Sequence, residues 1–180
     1  MTSGYPRLIV LTDAARGYDF ARQAAACPPD SILIERTYGK MPAALRGHRG
    51  RGPIRLATVL PHVARKTRLD GIHWPERRLK LRHRSKTSDL IETASAHRGL
   101  SIAKAQQLGI KAILVSVAFP SQSPSANGPG VGRPKGVIRL ALLQRAFPSC
   151  DLYALGGIRA KTARLLARSN LYGVALISGL

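Results

Sequence analysis

Two apolar runs near the C-terminus end in residues that expose backbone amides. Asp151-Leu-Tyr-Ala-Leu-Gly-Gly-Ile158 closes on Gly156-Gly157, and Tyr172-Gly-Val-Ala-Leu-Ile-Ser-Gly179 closes on Ser178-Gly179. Glycine has no Cβ, so a ligand can approach its peptide N–H closely. A set of oriented amides can hold a phosphate without any cationic side chain. His73, Ser95 and His97 stand at the ends of other apolar runs. An imidazole in such a place can move a proton, but more commonly it orients its neighbours by hydrogen bonds. Cys27 and Cys150 lie far apart and in no metal or redox spacing, which reads as two reduced structural thiols.

The elements that must position these groups follow from the hydrophobic pattern. Candidate strands are Arg7–Thr12, Ser31–Arg36, Arg55–Leu60, Leu69–His73, Leu90–Ser95, Ala112–Val117, Leu152–Leu155 and Gly173–Ile177. Most are rich in Ile, Leu and Val with little alternation, as in strands buried on both faces. Helices are expected at Gly17–Ala26, Leu100–Leu108, Val137–Ala146 and Ala160–Arg168, with weaker ones at Pro61–Thr67 and Pro75–His83. Gln107-Leu108-Gly109-Ile110 is a helix stop, with the glycine placed to cap. Strands alternating with helices predict an α/β fold with a parallel sheet. Two final strands that both end in small residues match the last units of a (β/α)8 TIM barrel, where that fold often seats a phosphate. A single barrel domain over residues 1–180 is therefore expected, compact beside the usual size of about 250 residues.

Two departures from the regular pattern are expected. Gly39–Pro53 reads GKMPAALRGHRGRGP, which leaves room for only a shortened helix after strand two. The sequence ends at Leu180, so no closing helix follows strand eight. A thin outer ring at those strands would expose apolar surface and favour a homo-oligomer.

Six short motifs occur in barrel order. They are Leu11-Thr12-Asp13, Asp70-Gly-Ile-His73, Ala94-Ser-Ala-His97, Val117-Ala-Phe-Pro-Ser-Gln-Ser123, Ala154-Leu-Gly-Gly-Ile158 and Gly173-Val-Ala-Leu-Ile-Ser178. Together they resemble thiamine-phosphate synthase and its TenI relatives, which are (β/α)8 barrels. Thiamine-phosphate synthases join a pyrimidine diphosphate to thiazole phosphate through a cation-like pyrimidine and release pyrophosphate. The resemblance implies that amides of Gly136, Gly156, Gly157 and Ser178 seat the thiazole phosphate, with the Ser178 hydroxyl adding a bond. Ser121 and Ser123 stand where the family places threonines at the thiazole and pyrophosphate. Ser95 matches a serine that contacts the diphosphate, and His73 faces the barrel mouth beside it. Asp13 is expected to cap the turn after strand one or to bond into the base of the site. The TenI histidine at the end of strand six falls on Val117, so tautomerase chemistry by that route is not implied.

The diphosphate half of the family pattern is thinner here. Of the Gln-x-Arg-Glu-Lys that ends strand two in the family, Leu33-Ile-Glu-Arg-Thr-Tyr38 keeps only Arg36. The family's Asn-Asp pair after strand three has no counterpart in Ala57-Thr-Val-Leu-Pro61. The family's Leu-Gly-Gln-Glu-Asp is replaced by Trp74-Pro-Glu-Arg-Arg78, leaving Glu76 as the one carboxylate there. Mg²⁺ wants one or two carboxylates besides substrate phosphates, so with both aspartates missing the resemblance carries over no metal ligand. The family's lysine falls on Pro124, and Arg133 or Lys135 is expected to supply that charge from the Ser121–Gly136 loop. The loop's glycines and prolines suit a lid over the barrel mouth.

Composition sets outer bounds. Lys and Arg number 29 against 9 acidic residues, a net charge of +20, and fourteen of the bases lie between Lys40 and Lys86 with only Asp70 and Glu76. Such a block attracts polyanions. Aromatics at 5% and the lack of any stacking cluster or reader motif count against a dedicated nucleic-acid binder. No run approaches a membrane span and no signal peptide is evident, so the chain is expected to be soluble and cytoplasmic. The leading expectation is a thiamine-phosphate synthase-like enzyme. The alternatives are a catalytically degenerate barrel that senses thiazole phosphate or thiamine phosphate, and polyanion or RNA binding through the basic face. Arginines from the Lys40–Lys86 block are candidates to replace Mg²⁺ at pyrophosphate.

Overall fold

Eight short strands close into a barrel: β1 (Leu8–Leu11), β2 (Ile32–Glu35), β3 (Ile54–Ala57), β4 (Gly71–Trp74), β5 (Ile91–Ala96), β6 (Ala112–Ser116), β7 (Asp151–Leu155) and β8 (Gly173–Leu176). Every neighbouring pair is parallel, and β8 returns to β1 with Leu8 opposite Val174. The computed structural model describes residues 4–12, 20–37, 52–83, 85–121 and 132–177. Outside the barrel run α1 (Phe20–Ala26), α2 (Pro61–Lys66), a 3₁₀ turn Glu76–Arg78 leading into α3 (Leu79–Arg82), α4 (Gly99–Gln107), α5 (Gly136–Ala146) and α6 (Ala160–Leu166). The (β/α)8 barrel expected from the sequence is the observed fold, and each expected strand overlaps an observed one. The segments that bear on a shortened helix after β2 and on the chain after β8, residues 38–51 and 178–180, lie outside the described residues.

Strand side chains alternate between two cores. Ile9, Leu11, Ile32, Ile34, Leu56, Leu114, Tyr153, Leu155 and Ala175 fill the barrel interior. Their neighbours Ala57, Ile72, Trp74, Ala94, Ala96, Ile113, Val115, Leu152 and Ala154 pack outward under α2 to α6. Both faces are dry, which is why the strands read as continuous apolar runs. Tyr153 plugs the lower barrel, its hydroxyl donating to Pro6 O at 2.7 Å. Gly173 across from it leaves the space, since a Cβ there would fall 2.8 Å from the Tyr153 ring. Trp74 is likewise polar-satisfied, its indole N–H reaching Glu92 Oε2 at 2.6 Å, and Arg82 holds the same carboxylate.

The helix stop after α4 closes as the sequence suggests. Gly109 adopts φ +80°, its N–H bonds Gln106 O, and Ile110 N–H bonds Ala105 O. This is the paired bonding of a Schellman cap. Among the described residues the large exposed apolar side chains are Leu60, Leu81, Leu100, Ile138, Leu142 and Leu165. They lie just before α2 and on α3 to α6. No helix among the described residues is long and apolar enough to cross a membrane.

Candidate active site

The inward register that buries Ile32 and Ile34 on β2 continues to Arg36. The register of Leu56 on β3 continues to Thr58, and on β5 it presents Thr93 and then Ser95. Polar side chains therefore crown the interior at the C-terminal ends of the strands. His73 on β4 is buried among them, 3% exposed. Its Nδ1 lies 2.8 Å from Thr93 Oγ1 and its Nε2 2.8 Å from Ser95 Oγ. Burial first, and then the nearby Arg36 charge, push its pKa down to about 3. It is thus a neutral imidazole near pH 7, with one nitrogen donating and the other accepting. It fixes the Ser95 hydroxyl at the mouth.

Cations stand around this opening. Arg36 Nε donates to Thr12 O at 2.8 Å, and the Arg36 N–H reaches Thr12 Oγ1 at 3.2 Å. Thr37 and Thr58 join the next stretch of rim, Thr37 N–H donating to Thr58 Oγ1 at 3.0 Å. Arg78, from the 3₁₀ turn, reaches across to Thr58 O with Nη1 at 3.2 Å. Lys135 enters from the far side and donates to Ser116 O at 2.5 Å. Burial and Arg139 lower the Lys135 pKa, against the opposing pull of Glu76.

Glu76 carries the turn that presents Arg78. Its Oε2 accepts the His97 N–H at 2.8 Å and pairs with His97 Nδ1, and its Oε1 accepts Ser101 Oγ at 2.5 Å. Burial works to raise the Glu76 pKa, but hydrogen bonds from Ser101 and His97 outweigh it, and the net shift is downward. The carboxylate is therefore committed to a structural knot between the β4 and β5 ends. Among the described residues no group of three His, Cys, Asp or Glu side chains could hold a metal ion. Glu76, the carboxylate of this turn, is engaged by His97 and Ser101.

The glycine turn after β7 is shaped by close packing as well as by φ. Gly156 and Gly157 have φ +96° and +66°. A Cβ on Gly157 would fall 2.5 Å from Pro120 O and 2.6 Å from Phe119 O. The turn lies flush against the β6 exit, where Ala118 N–H bonds Leu155 O and Phe119 N–H bonds Gly156 O. Thr162 braces it from α6, donating to Gly157 O at 3.0 Å while accepting the Arg159 N–H at 2.8 Å. Among the described residues the N–H groups of Gly156 and Gly157 have no acceptor.

The structure brings together at the mouth Ser95, His73, Arg36, Lys135, Gly156 and Gly157. Gly136 is beside them with φ +66°, but its N–H is spent on Ala118 O at 2.9 Å. Ser121 is half-buried just past the β6 exit. Arg133 is exposed, with no hydrogen bond or ion pair to a described residue. Ser123, Ser178, Asp13 and most of the Ser121–Gly136 loop lie outside the described residues. Sequence reasoning missed Thr37 and Thr58, and held Arg78 only as one arginine of the Lys40–Lys86 block. The two-residue register beyond Leu56 could have found Thr58, whereas nothing in the local pattern marks Arg78. A cavity at the opposite end of the barrel, lined by Tyr5, Arg7, Asp30 and Tyr172, is away from all these groups.

Comparisons with known proteins give a family and a fold. A family model described as thiamine monophosphate synthase matches residues 61–180. Among solved structures, a thiamine phosphate pyrophosphorylase from Pyrococcus furiosus is similar over 96% of this chain and 85% of its own, at 17% identity and a TM-score of 0.67. A 2-keto-3-deoxy-6-phospho-gluconate aldolase from Zymomonas mobilis is similar over 96% of this chain and 82% of its own, at 14% identity and a TM-score of 0.55. Likeness at such identities is a likeness of barrel fold alone. Comparison with curated protein sequences gives no match.

Proposed function

This chain belongs to the thiamine monophosphate synthase family, and from that premise we propose that it joins a hydroxymethylpyrimidine diphosphate to thiazole phosphate in the barrel mouth. The bond from the pyrimidine methylene carbon to the diphosphate oxygen breaks, the thiazole nitrogen forms the new bond to that carbon, and pyrophosphate leaves. The observation that carries this reading is the glycine turn after β7, whose Gly156 and Gly157 N–H groups have no acceptor among the described residues. Paired amides of this kind suit a monophosphate. Opposite them, Ser95 is oriented by a neutral His73, so a hydroxyl faces the substrate without adding a charge that would repel the cation-like pyrimidine. Arg36 and Lys135 supply positive charge where the leaving diphosphate would need it.

The second reading, a barrel that binds thiazole phosphate or thiamine phosphate without turnover, draws support from the commitment of Glu76 to His97 and Ser101. One assay separates the two. Purified protein is mixed with both precursors, with and without Mg²⁺, and thiamine phosphate is followed by mass. Product is the expected result. Binding of thiazole phosphate without product would favour the sensor, and inertness toward both precursors would overturn the synthase reading. Salt-sensitive RNA binding with no response to thiazole phosphate would return the basic face to first place.

A further inference from the structure

Resting on that reading, we propose that the diphosphate subsite is built from the side chains of Arg36, Arg78 and Lys135, which neutralise the diphosphate directly in place of a divalent cation. Three observations converge. First, each of the three side chains already donates to a carbonyl at the C-terminal end of a strand: Thr12 O, Thr58 O and Ser116 O. They come from the β2 exit, the turn after β4 and the loop after β6. They therefore ring the opening and do not crowd one edge.

Second, the acceptors that Arg78 and Lys135 hold are neutral. Among the described residues the ion pairs are Arg65 with Asp89, Arg82 with Glu92 and His97 with Glu76. No carboxylate neutralises Arg78 or Lys135 within that set. A diphosphate oxygen offers each cation a full opposite charge where it now meets a neutral carbonyl oxygen, which adds Coulombic attraction to the hydrogen bond. Both side chains are half-buried, where solvent and salt screen the attraction less than on an open surface.

Third, the carboxylate of the turn that carries Arg78 is occupied in fixing that turn. Glu76 accepts from His97 N–H, His97 Nδ1 and Ser101 Oγ. That knot fixes the start of the same 3₁₀ turn whose last residue, Arg78, crosses to Thr58. Glu76 is on this account a positioning residue. The acid at this place in the chain anchors a cation and does not ligate one.

The test uses the full-length protein and inorganic pyrophosphate as probe, by isothermal titration calorimetry in EDTA and again with excess MgCl₂. Binding in EDTA, not strengthened by Mg²⁺, is expected. Arg78→Ala and Lys135→Ala should each weaken pyrophosphate binding about tenfold or more, whereas thiazole phosphate binding at the Gly156-Gly157 turn should stay within about twofold in Arg78→Ala. Arg78→Lys should recover part of the loss. Lys104→Ala, which removes an exposed cation on α4, should leave pyrophosphate binding unchanged. Pyrophosphate binding that requires Mg²⁺, or that falls as much in Lys104→Ala as in Arg78→Ala, would overturn the proposal. Loss of thiazole phosphate binding in the wild-type protein would instead strike at the synthase reading, so the two failures are distinguishable.

Discussion

His73 carries the most unusual environment of any single residue in the mouth. The folded pKa lies at about 3 because burial, and then Arg36, disfavour the imidazolium, whereas an unfolded histidine titrates near about 6.5. The folded value is the lower, so the unfolded chain takes up the proton first. The stability tied to the neutral ring is complete above about pH 6.5 and is lost as pH falls from there toward about 3, with a limiting slope of about 1.4 kcal/mol per pH unit. Between about pH 6.5 and about 5, before most carboxylates titrate, urea midpoints of the wild type should drop, while those of His73→Asn should change little. Equal acid sensitivity of the two proteins in that window would remove the assignment. The position of His73 at a strand end is legible in Asp70-Gly-Ile-His73, and so is its orienting role as the commoner fate of such a histidine. Its two hydroxyl partners are not, because they come from β5, and the register of β5 against β4 across the connection between them is not written in the local pattern.

The elements are the most legible part of the chain, since runs such as Ala112-Ile-Leu-Val-Ser116 are apolar on both faces and glycines punctuate the helix ends. Two kinds of glycine punctuation look alike in sequence and differ in space. Gly109 has φ +80° with nothing within 4 Å of the place a methyl would take, whereas at Gly157 a methyl would collide with the backbone of Pro120 and Phe119. Gly109→Ala should therefore cost only the left-handed backbone strain, about 1 kcal/mol. Gly157→Ala must add displacement of the β6 exit, for a total of about 2–4 kcal/mol, and should abolish thiazole phosphate binding by moving both amides. Chemical denaturation of the two variants measures the difference, and equal losses would mean that the glycine turn is not held against β6 as described. The 3₁₀ turn escapes sequence reasoning at the level that matters. Pro75–His83 reads as one weak helix, and the sequence does not display the clamp of Glu76 by His97 and Ser101, which aims Arg78 at Thr58.

For the whole molecule the governing quantity is charge. With 29 Lys and Arg against 9 acids, at least twenty cations have no carboxylate to pair with one-to-one, and mutual repulsion disfavours the compact state. Salt screens exposed charges beyond about 8 Å near physiological ionic strength, so the thermal midpoint should rise as NaCl is added from low concentration; a falling midpoint would mean that ion pairs dominate. The same screening sorts the anions that such a molecule attracts. An oligoribonucleotide bound across the open basic surface displaces many counterions, and its affinity should fall steeply on a plot of log K against log salt. Pyrophosphate is a small anion without a condensed counterion atmosphere, and among half-buried cations in the mouth it is less screened, so its slope should be much shallower than that of RNA. In Arg78→Ala pyrophosphate affinity should fall at every salt concentration, while RNA affinity and its slope stay nearly constant. Parallel slopes for the two anions would assign both to the diffuse surface charge, and a separation between them would locate a built anion site within an otherwise general electrostatic field.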